Sequence, residues 1–311
     1  WTMENDHEYG LCKALDALMR AYIKRGLHES FRQFLLYARG ICFLKKAGSK
    51  DIRPIAMICT LFRIIDRLVI ENLDPALKRR LIGETQLVDR KSGVQIGALV
   101  ADAHTDIIHA FDRQVALNFD VKNAFNSVER DAVYDFILTE CPELVSHFKF
   151  LYGGLIIIDF DFAHRIYAPS GTLQGVTSSN FIYGLTKFAV QKRARARMLQ
   201  VHSNFTITSE FNYVDDGEEV LDICYVEDYS TKLKEEYAKF GLSLNLKKSL
   251  VILDTQSKEL LSYYLPRFEA EFKRENIILS GNRETLGVPH GSVDFVNEVV
   301  TRKMKLVHKK L

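Results

Sequence analysis

Between Phe211 and Val220 the chain reads FNYVDDGEEV: an apolar, aromatic run leads into two adjacent aspartates, a glycine and two glutamates. Asp-Gly is a good turn dipeptide, and exposed turns are often acidic, so the run has a plain structural reading. Two features favour a chemical one. Phe211, Tyr213 and Val214 mark a buried strand that would hold the turn. A second strand-like run, through Val115, Leu117 and Phe119, also stops at an aspartate, Asp120. Carboxylates that converge at strand ends repel unless a cation lies between them. Magnesium suits such a place, because it takes oxygen ligands and is held by one or two carboxylates plus substrate phosphates. Two ions about 3.5–4 Å apart can activate an attacking hydroxyl and stabilise a leaving pyrophosphate. On this reading Asp215 and Asp216 stand side by side because metal and metal-bound triphosphate neutralise them.

The elements that position these groups follow from periodicity. From His7 to Tyr37 apolar residues recur at helical spacing, with Leu11, Leu15, Leu18 and Tyr22 in register. GICFLKKAGSKDIRPIAMI, from Gly40, is two short apolar runs around a Lys/Gly/Ser turn, a hairpin pattern. Helices are expected over Leu61–Leu77 and Ala98–Phe111, with the loop QLVDRKSGVQIG between them. After Asp120 the pattern turns helical from Ala124, with a stripe of Phe125, Val128, Val133, Phe136 and Ile137. GTLQG, Gly171–Gly175, is a turn entering a helix. FTITSEFNYVDDGEEVLDICYV reads as two strands joined by Asp-Asp-Gly. A helix over Tyr229–Phe240, the segment GLSLNLKKSLVIL, a strand-like piece at LGVPHG and a basic helix from about Val293 complete the chain. Strands and helices mix without strict βαβ alternation, so the expected class is α+β with a central antiparallel sheet rather than a Rossmann domain. The sequence contains no Walker or G-x-G-x-x-G motif, so a glycine-rich phosphate cradle is not the route to nucleotides.

Composition sets outer bounds. A length of 311 residues predicts about two domains. No long uncharged apolar window suggests a membrane span. The five cysteines, Cys12, Cys42, Cys59, Cys141 and Cys224, form no C-x-x-C pair and fit a reducing, intracellular setting. Net charge is only +2, but basic residues cluster at Lys45, Lys46, Lys50 and Arg53, at Lys192, Arg193, Arg195 and Arg197, and from Arg302 to Lys310. Any one cluster reads as a solvated face; three together point toward a polyanionic partner. The chain begins at Trp1 and ends within a basic run, from which a domain cut from a longer protein is expected.

Taken together the motifs resemble those of reverse transcriptases. YVDD, Tyr213–Asp216, looks like the catalytic hairpin, and FDVKNAFNSVER, Phe119–Arg130, is similar to the first catalytic motif of the non-LTR retrotransposon group. GTLQG resembles the Gln-Gly motif, LKKAGSKDIRPIA (Leu44–Ala56) the fingers segment, GLSLNLKKS (Gly241–Ser249) the motif ending in a palm lysine, and LGVPHG (Leu286–Gly291) the primer-grip region. QLVDRKSGVQIGALVADAH resembles the loop and helix between fingers and palm in the non-LTR group. The resemblance runs in the family's order from about Ile41 to Gly291. It implies a right-hand polymerase: fingers over 1–116, palm over 117–292 with fingers insertions at about 140–170, and a thumb beginning at 293–311. It also implies site residues. Asp120, Asp215, Asp216 and the Val121 carbonyl would be metal ligands. Phe125 would be a steric gate under the sugar, with a core role on the helix stripe as the alternative. Lys45 or Lys46 with Arg53 would hold the triphosphate. Gln174 and Gly175 would lie along nucleotide and template, and Lys248 near the leaving pyrophosphate. The implied partners are an RNA template, a DNA or RNA primer, dNTPs and two Mg2+ ions (Mn2+ as substitute), within a longer polyprotein. The implied location is intracellular, and nuclear for a eukaryotic element.

The chain departs from the pattern in two places. Val-Thr-Ser-Ser follows Gln174-Gly175 where many retrotransposon enzymes have Asp-Pro-Leu, and His290 stands where an aliphatic residue is expected. A viral RNA-dependent RNA polymerase would carry a second aspartate five residues after the first, where this chain has Phe125. Telomerase and group II intron maturases are closer cousins. A decayed or domesticated relative that only binds RNA is the alternative from another class.

Overall fold

The computed structural model describes residues 6–25, 28–44, 52–88, 90–154, 156–160, 164–255, 257–280 and 282–308. In chain order the elements are α1 (Asp6–Arg25), α2 (Glu29–Leu36), β1 (Ala38–Leu44), β2 (Ile52–Met57), α3 (Thr60–Glu71), α4 (Pro75–Ile82), α5 (Gly93–Ala110), β3 (Gln114–Asn118), α6 (Ala124–Ser127), α7 (Arg130–Glu140), α8 (Val145–Tyr152), β4 (Ile156–Asp159), β5 (Arg165–Ala168), α9 (Thr177–Val201), β6 (Ile207–Tyr213), β7 (Asp216–Asp222), α10 (Val226–Ala238), β8 (Leu250–Leu253), α11 (Lys258–Glu271), β9 (Ile277–Ile278), β10 (Arg283–Thr285), β11 (Val288–His290) and α12 (Val293–His308). They form two compact units, residues 1–77 with 128–179, and residues 78–127 with 180–311.

The first unit carries a four-stranded sheet in the order β2-β1-β4-β5. β1 and β2 are the expected antiparallel hairpin, with Arg39 opposite Met57 and Leu44 opposite Ile52. β4 joins β1 in parallel and β5 folds back on β4. Buried Leu35, Phe62, Ile65, Phe150 and Leu151 form its core. Within it His147 bridges Asp66 (2.9 Å) and the Tyr22 hydroxyl, and the Ser178 N–H donates to the other Asp66 oxygen at 3.0 Å. This buried chain ties α1, α3, α8 and the start of α9. The single helix expected over Leu61–Leu77 is two. α3 stops at Glu71, and Asp74 caps α4 by accepting the N–H groups of Ala76 and Leu77, both at 2.9 Å. An Asp followed by Pro75 is a helix start, so the local chemistry overrides the continuous apolar pattern. The helix expected from Ala124 is also broken, between α6 and α7, although Val128, Val133 and Ile137 are buried as the stripe predicts.

The second unit carries a five-stranded sheet in the order β6-β7-β3-β8-β9. It is antiparallel from β6 to β8, and β9 adds a parallel edge. The fold is therefore α+β with mixed sheets rather than one wholly antiparallel sheet. β3 lies at the centre, and Val115, Ala116 and Leu117 are all fully buried, as a strand covered on both faces requires. On one face Ala116, Val220 and Ile252 pack with Ile108 of α5. LGVPHG is not one strand. Leu286 (φ 52°) and Gly287 (φ 78°) are the turn between β10 and β11, both left-handed as a tight two-residue hairpin demands. Among the described residues Cys42, Cys59, Cys141 and Cys224 are free thiols, and no helix is long and apolar enough to cross a membrane.

Candidate active site

β3 ends at Asn118, and Asp120 follows two residues later, half-buried. The segment 243–249 wraps this strand end. The Asp120 N–H donates to Ser249 Oγ at 3.0 Å, its carbonyl accepts the Asn245 N–H at 2.8 Å, and its Oδ2 accepts Asn245 Nδ2 at 3.0 Å. Val121 is buried and forms a bridge with Leu244, and the Lys122 N–H donates to the Ser243 carbonyl at 3.0 Å. Asp120 is thus held at backbone and side chain by one loop, the one ending in Lys248, which is exposed.

The β6–β7 hairpin brings the other two acids to the same end of the sheet. Leu117 pairs with Glu219 in the antiparallel β3–β7 ladder, so the end of β3 that leads to Asp120 and the start of β7 at Asp216 lie at the same end of the sheet. The turn is not Asp-Asp-Gly. Tyr213 pairs with Asp216, so Val214 and Asp215 are the turn, while Asp216 and Gly217 belong to β7. Val214 takes φ 55°, a conformation that strains a β-branched residue. Its N–H donates to Gln86 Oε1 at 2.9 Å. Asp215 and Asp216 are exposed. Lys187 of α9 is buried beneath them, its Nζ donating to the Asp215 carbonyl at 3.0 Å and the Asp216 carbonyl at 2.7 Å. Burial pulls the Lys187 amine down to about 8, against the pull of Asp215 and Asp216. Gly217 is a glycine for want of room: an added Cβ would stand 2.6 Å from Asn212 Oδ1 and 2.7 Å from Lys187 Nζ.

The two glutamates of the acidic run do not join the aspartates. Glu218 and Glu219 are buried on opposite faces of β7. Glu218 accepts from Arg283 Nε at 2.8 Å and lies 2.9 Å from His104 Nδ1. Burial raises its pKa, but the His104 hydrogen bond and the Arg283 charge outweigh that and leave it below the ordinary value. Glu219 accepts from the Tyr229 hydroxyl and Gln191, and burial holds its pKa above the ordinary value despite Arg195.

Phe125 stands half-buried in α6, its ring 5.2 Å from that of Tyr183 in α9. Tyr183 is fully buried, and its hydroxyl has no partner among the described residues. Burial lifts its pKa far above the ordinary value, and Tyr237, Asp215, Asp120 and Asp216 push it further. All three aspartates therefore lie within electrostatic reach of one phenol. Their oxygens and the Val121 carbonyl are the hard donors magnesium takes, so the donor chemistry fits. Among the described residues, however, no three His, Cys, Asp or Glu side chains already stand close enough to share an ion.

Gln174 and Gly175 lie in the first unit. The Gln174 carbonyl accepts the Ala56 N–H at 3.1 Å, which seats the Gln174–Gly175 turn on β2, the strand that carries Arg53. Gly175 has φ +105°, and a Cβ there would press on the Ala56 carbonyl and Ile55, each at 3.2 Å. Arg130, the arginine closing the first motif, is buried and holds this turn from behind through the carbonyls of Gly171 (2.8 Å) and Ser170 (3.1 Å). Val176, Ser178 and Ser179, which replace the usual residues after Gln-Gly, are buried, with Ser179 bonded to Tyr152 at 2.8 Å. Lys45, Lys46 and Lys50 lie outside the described residues, as does the Arg53 side chain.

In the second basic cluster Lys192 and Arg193 are exposed, whereas the other two members are paired. Arg195 is paired with Glu210 and Glu219, and Arg197 with Glu235 and Glu236, so these charges are neutralised within the chain. Arg302 and Lys303 likewise share Glu284. The unexpected His290 is buried, with Nδ1 2.6 Å from Asp102 of α5. Sequence reading gave no role to Lys187, Gln86, Asn245 or Arg130. Gln86, Asn245 and Arg130 lie inside quoted motifs, and Lys187 is a lone lysine in the apolar run FIYGLTKFAV.

The second unit's sheet presents aspartates at its strand ends, and the first unit carries the Gln-Gly turn. A family model described as reverse transcriptase (RNA-dependent DNA polymerase) matches residues 44–265. The chain belongs to the reverse transcriptase family. No curated protein matches it.

Proposed function

We propose that the chain is an RNA-directed DNA polymerase of the non-LTR retrotransposon type, acting inside the cell and, for a eukaryotic element, in the nucleus. The observation that carries this reading is the presentation of Asp120, Asp215 and Asp216 at one end of the second sheet, around the buried Tyr183. In the reaction the primer 3′-hydroxyl attacks the α-phosphate of a dNTP, and the bond to pyrophosphate breaks as the new ester forms. Asp120 and Asp215, with Asp216 and the Val121 carbonyl, would hold two Mg2+ ions, which when bound supply charge neutralisation at the triphosphate. The chain's own contribution is positioning: one loop clamps Asp120, and the hairpin presents Asp215. Phe125 closes the space under the sugar C2′. Gln174 and Gly175 pack along nucleotide and template. Lys45 or Lys46 with Arg53 hold the triphosphate, and Lys248 assists the departure of pyrophosphate. The proposed parts are fingers over 1–116, palm over 117–292 and a thumb beginning at 293–311. The unit that joins 1–77 to 128–179 supports the fingers insertion at about 140–170.

Primer extension on an oligo(dT)–poly(rA) hybrid with Mg2+ tests this. The native chain is expected to extend, and Asp120→Asn or Asp215→Asn to abolish extension with the thermal melt unchanged. An extending Asp215→Asn variant would overturn the assignment. A folded native chain that binds RNA without extending would favour the decayed relative.

A further inference from the structure

The two-residue turn at Val214–Asp215 is an unlikely one to form unaided. Its first residue is β-branched and sits at φ 55°, where glycine or asparagine is the usual choice. Such strain persists only where the surroundings over-determine the backbone. Three hydrogen bonds do so here. Gln86 takes the Val214 N–H on one side, and Lys187 donates to the carbonyls of Asp215 and Asp216 on the other. The lysine is expensive to keep in this position, because a buried ammonium loses its hydration. A cavity of about 10 Å³, room for a single water centre, adjoins it and is lined by Lys187, Gln191, Asn212 and Glu219. Gly217 has no side chain in just the place where one would displace the lysine's nitrogen. Two separate features of the chain, a costly buried cation and a glycine that is not a turn glycine, therefore serve one end.

We infer that Lys187 is a positioning residue for nucleotidyl transfer: by clamping the Asp215 and Asp216 carbonyls, on either side of the Asp216 Cα, it fixes the backbone of the turn and with it the direction in which the Asp215 carboxylate meets its ion. This rests on the reading of Asp215 as a metal-binding carboxylate. Lys187 touches neither substrate nor ion; it acts through the backbone of the turn.

Charge and position make opposite predictions, which makes the inference testable. Removing a cation next to the acids would by Coulomb's law tighten the binding of a metal ion. Losing the clamp would weaken it. The experiment measures Mn2+ binding by electron paramagnetic resonance without nucleic acid or nucleotide, together with kcat and KM for single dNTP addition, in the native chain, Lys187→Met and Asp215→Asn. Methionine keeps the length and shape of the side chain and removes both donor and charge; relief of the buried ammonium is set against two lost hydrogen bonds, and a thermal melt checks that the variant is folded. The Mn2+ Kd should rise and kcat fall by about 10–100-fold, the usual cost of losing a group that orients a ligand, with the dNTP KM unchanged. Mn2+ binding that is unchanged or tighter, or an unchanged kcat, overturns the inference. Should Lys187→Met fail to fold, Lys187→Leu, which also lacks a donor, is read by the same criteria. Asp215→Asn separates the two levels. If it loses Mn2+ binding and extension while Lys187→Met keeps both, only the role of Lys187 falls. If it keeps both, the reading of the site falls with it.

Discussion

Phe125 follows Asp120 by five residues, half-buried, with its ring against Tyr183. A ring supported by a fully buried partner cannot swing aside at no cost, and that is the property a steric gate needs. Of the stripe read from the sequence, Val128, Val133 and Ile137 are fully buried, while Phe125 and Phe136 are half-buried. Phe125→Val is expected to relax the preference for dNTP over rNTP by about 10–200-fold, the range for one apolar contact in a pocket. The ratio of kcat/KM for the two nucleotides measures this, and an unchanged ratio would remove Phe125 from the gate. At the same scale Tyr183 shows what burial does: a phenol with three acids in electrostatic range stays protonated at any working pH.

At the scale of elements, the link that holds the β10–β11 hairpin to the sheet is a buried charge network. Arg283 donates to Glu218 of β7 and, from α5, to Thr105 Oγ1 and the Ala101 carbonyl, both at 2.8 Å; His104 completes the shell between Glu218 and Ser209. Arg283→Met would leave a buried carboxylate without its cation. The expected loss is about 3–5 kcal/mol, read from urea unfolding, because an uncompensated buried charge is costlier than a missing pair. The pH dependence has a definite sign. Glu218 is held below its ordinary value of 4.5, so its contribution is complete above that pH and is lost as pH falls through the lower folded value. Arg283→Met should abolish that part of the acid sensitivity, and an unaltered acid transition would count against the network.

For the whole molecule, the relevant quantity is the charge left over for a polyanion. Net charge is small, and part of the basic surface that the sequence suggests is spent internally. Template RNA should still bind with salt dependence, since each Lys or Arg contact with a single strand releases counterions and lowers log K with a slope of about 0.7 per phosphate. Filter binding across a salt series should therefore weaken steadily, and Arg197→Gln should leave the slope unchanged because Glu235 and Glu236 already neutralise that guanidinium. Salt-insensitive binding would contradict an electrostatic template track.

Much of this was legible in the chain because the signals are local. Apolar spacing of 3.6 or 2 marks a helix or a strand wherever it lands, so α5, α9, α10, α12 and the β1–β2 and β6–β7 hairpins could be read directly, as could the three aspartates at strand ends. The chemistry of Asp74-Pro75 was equally local but was outvoted by a longer apolar pattern. What only the tertiary structure decided depends on partners far away in sequence. The turn falls on Val214–Asp215 rather than on Asp-Asp-Gly, because Tyr213 pairs with Asp216 and the distant Gln86 and Lys187 hold the turn backbone, and Gly217 is needed by a lysine thirty residues earlier in the chain. DDGEE reads as one acidic run, yet strand alternation and two different buried networks send Glu218 and Glu219 inward and leave Asp215 and Asp216 outside. Residue type and spacing determine which groups are available for chemistry; long-range pairing determines which of them are neutralised, which are buried, and which remain to act.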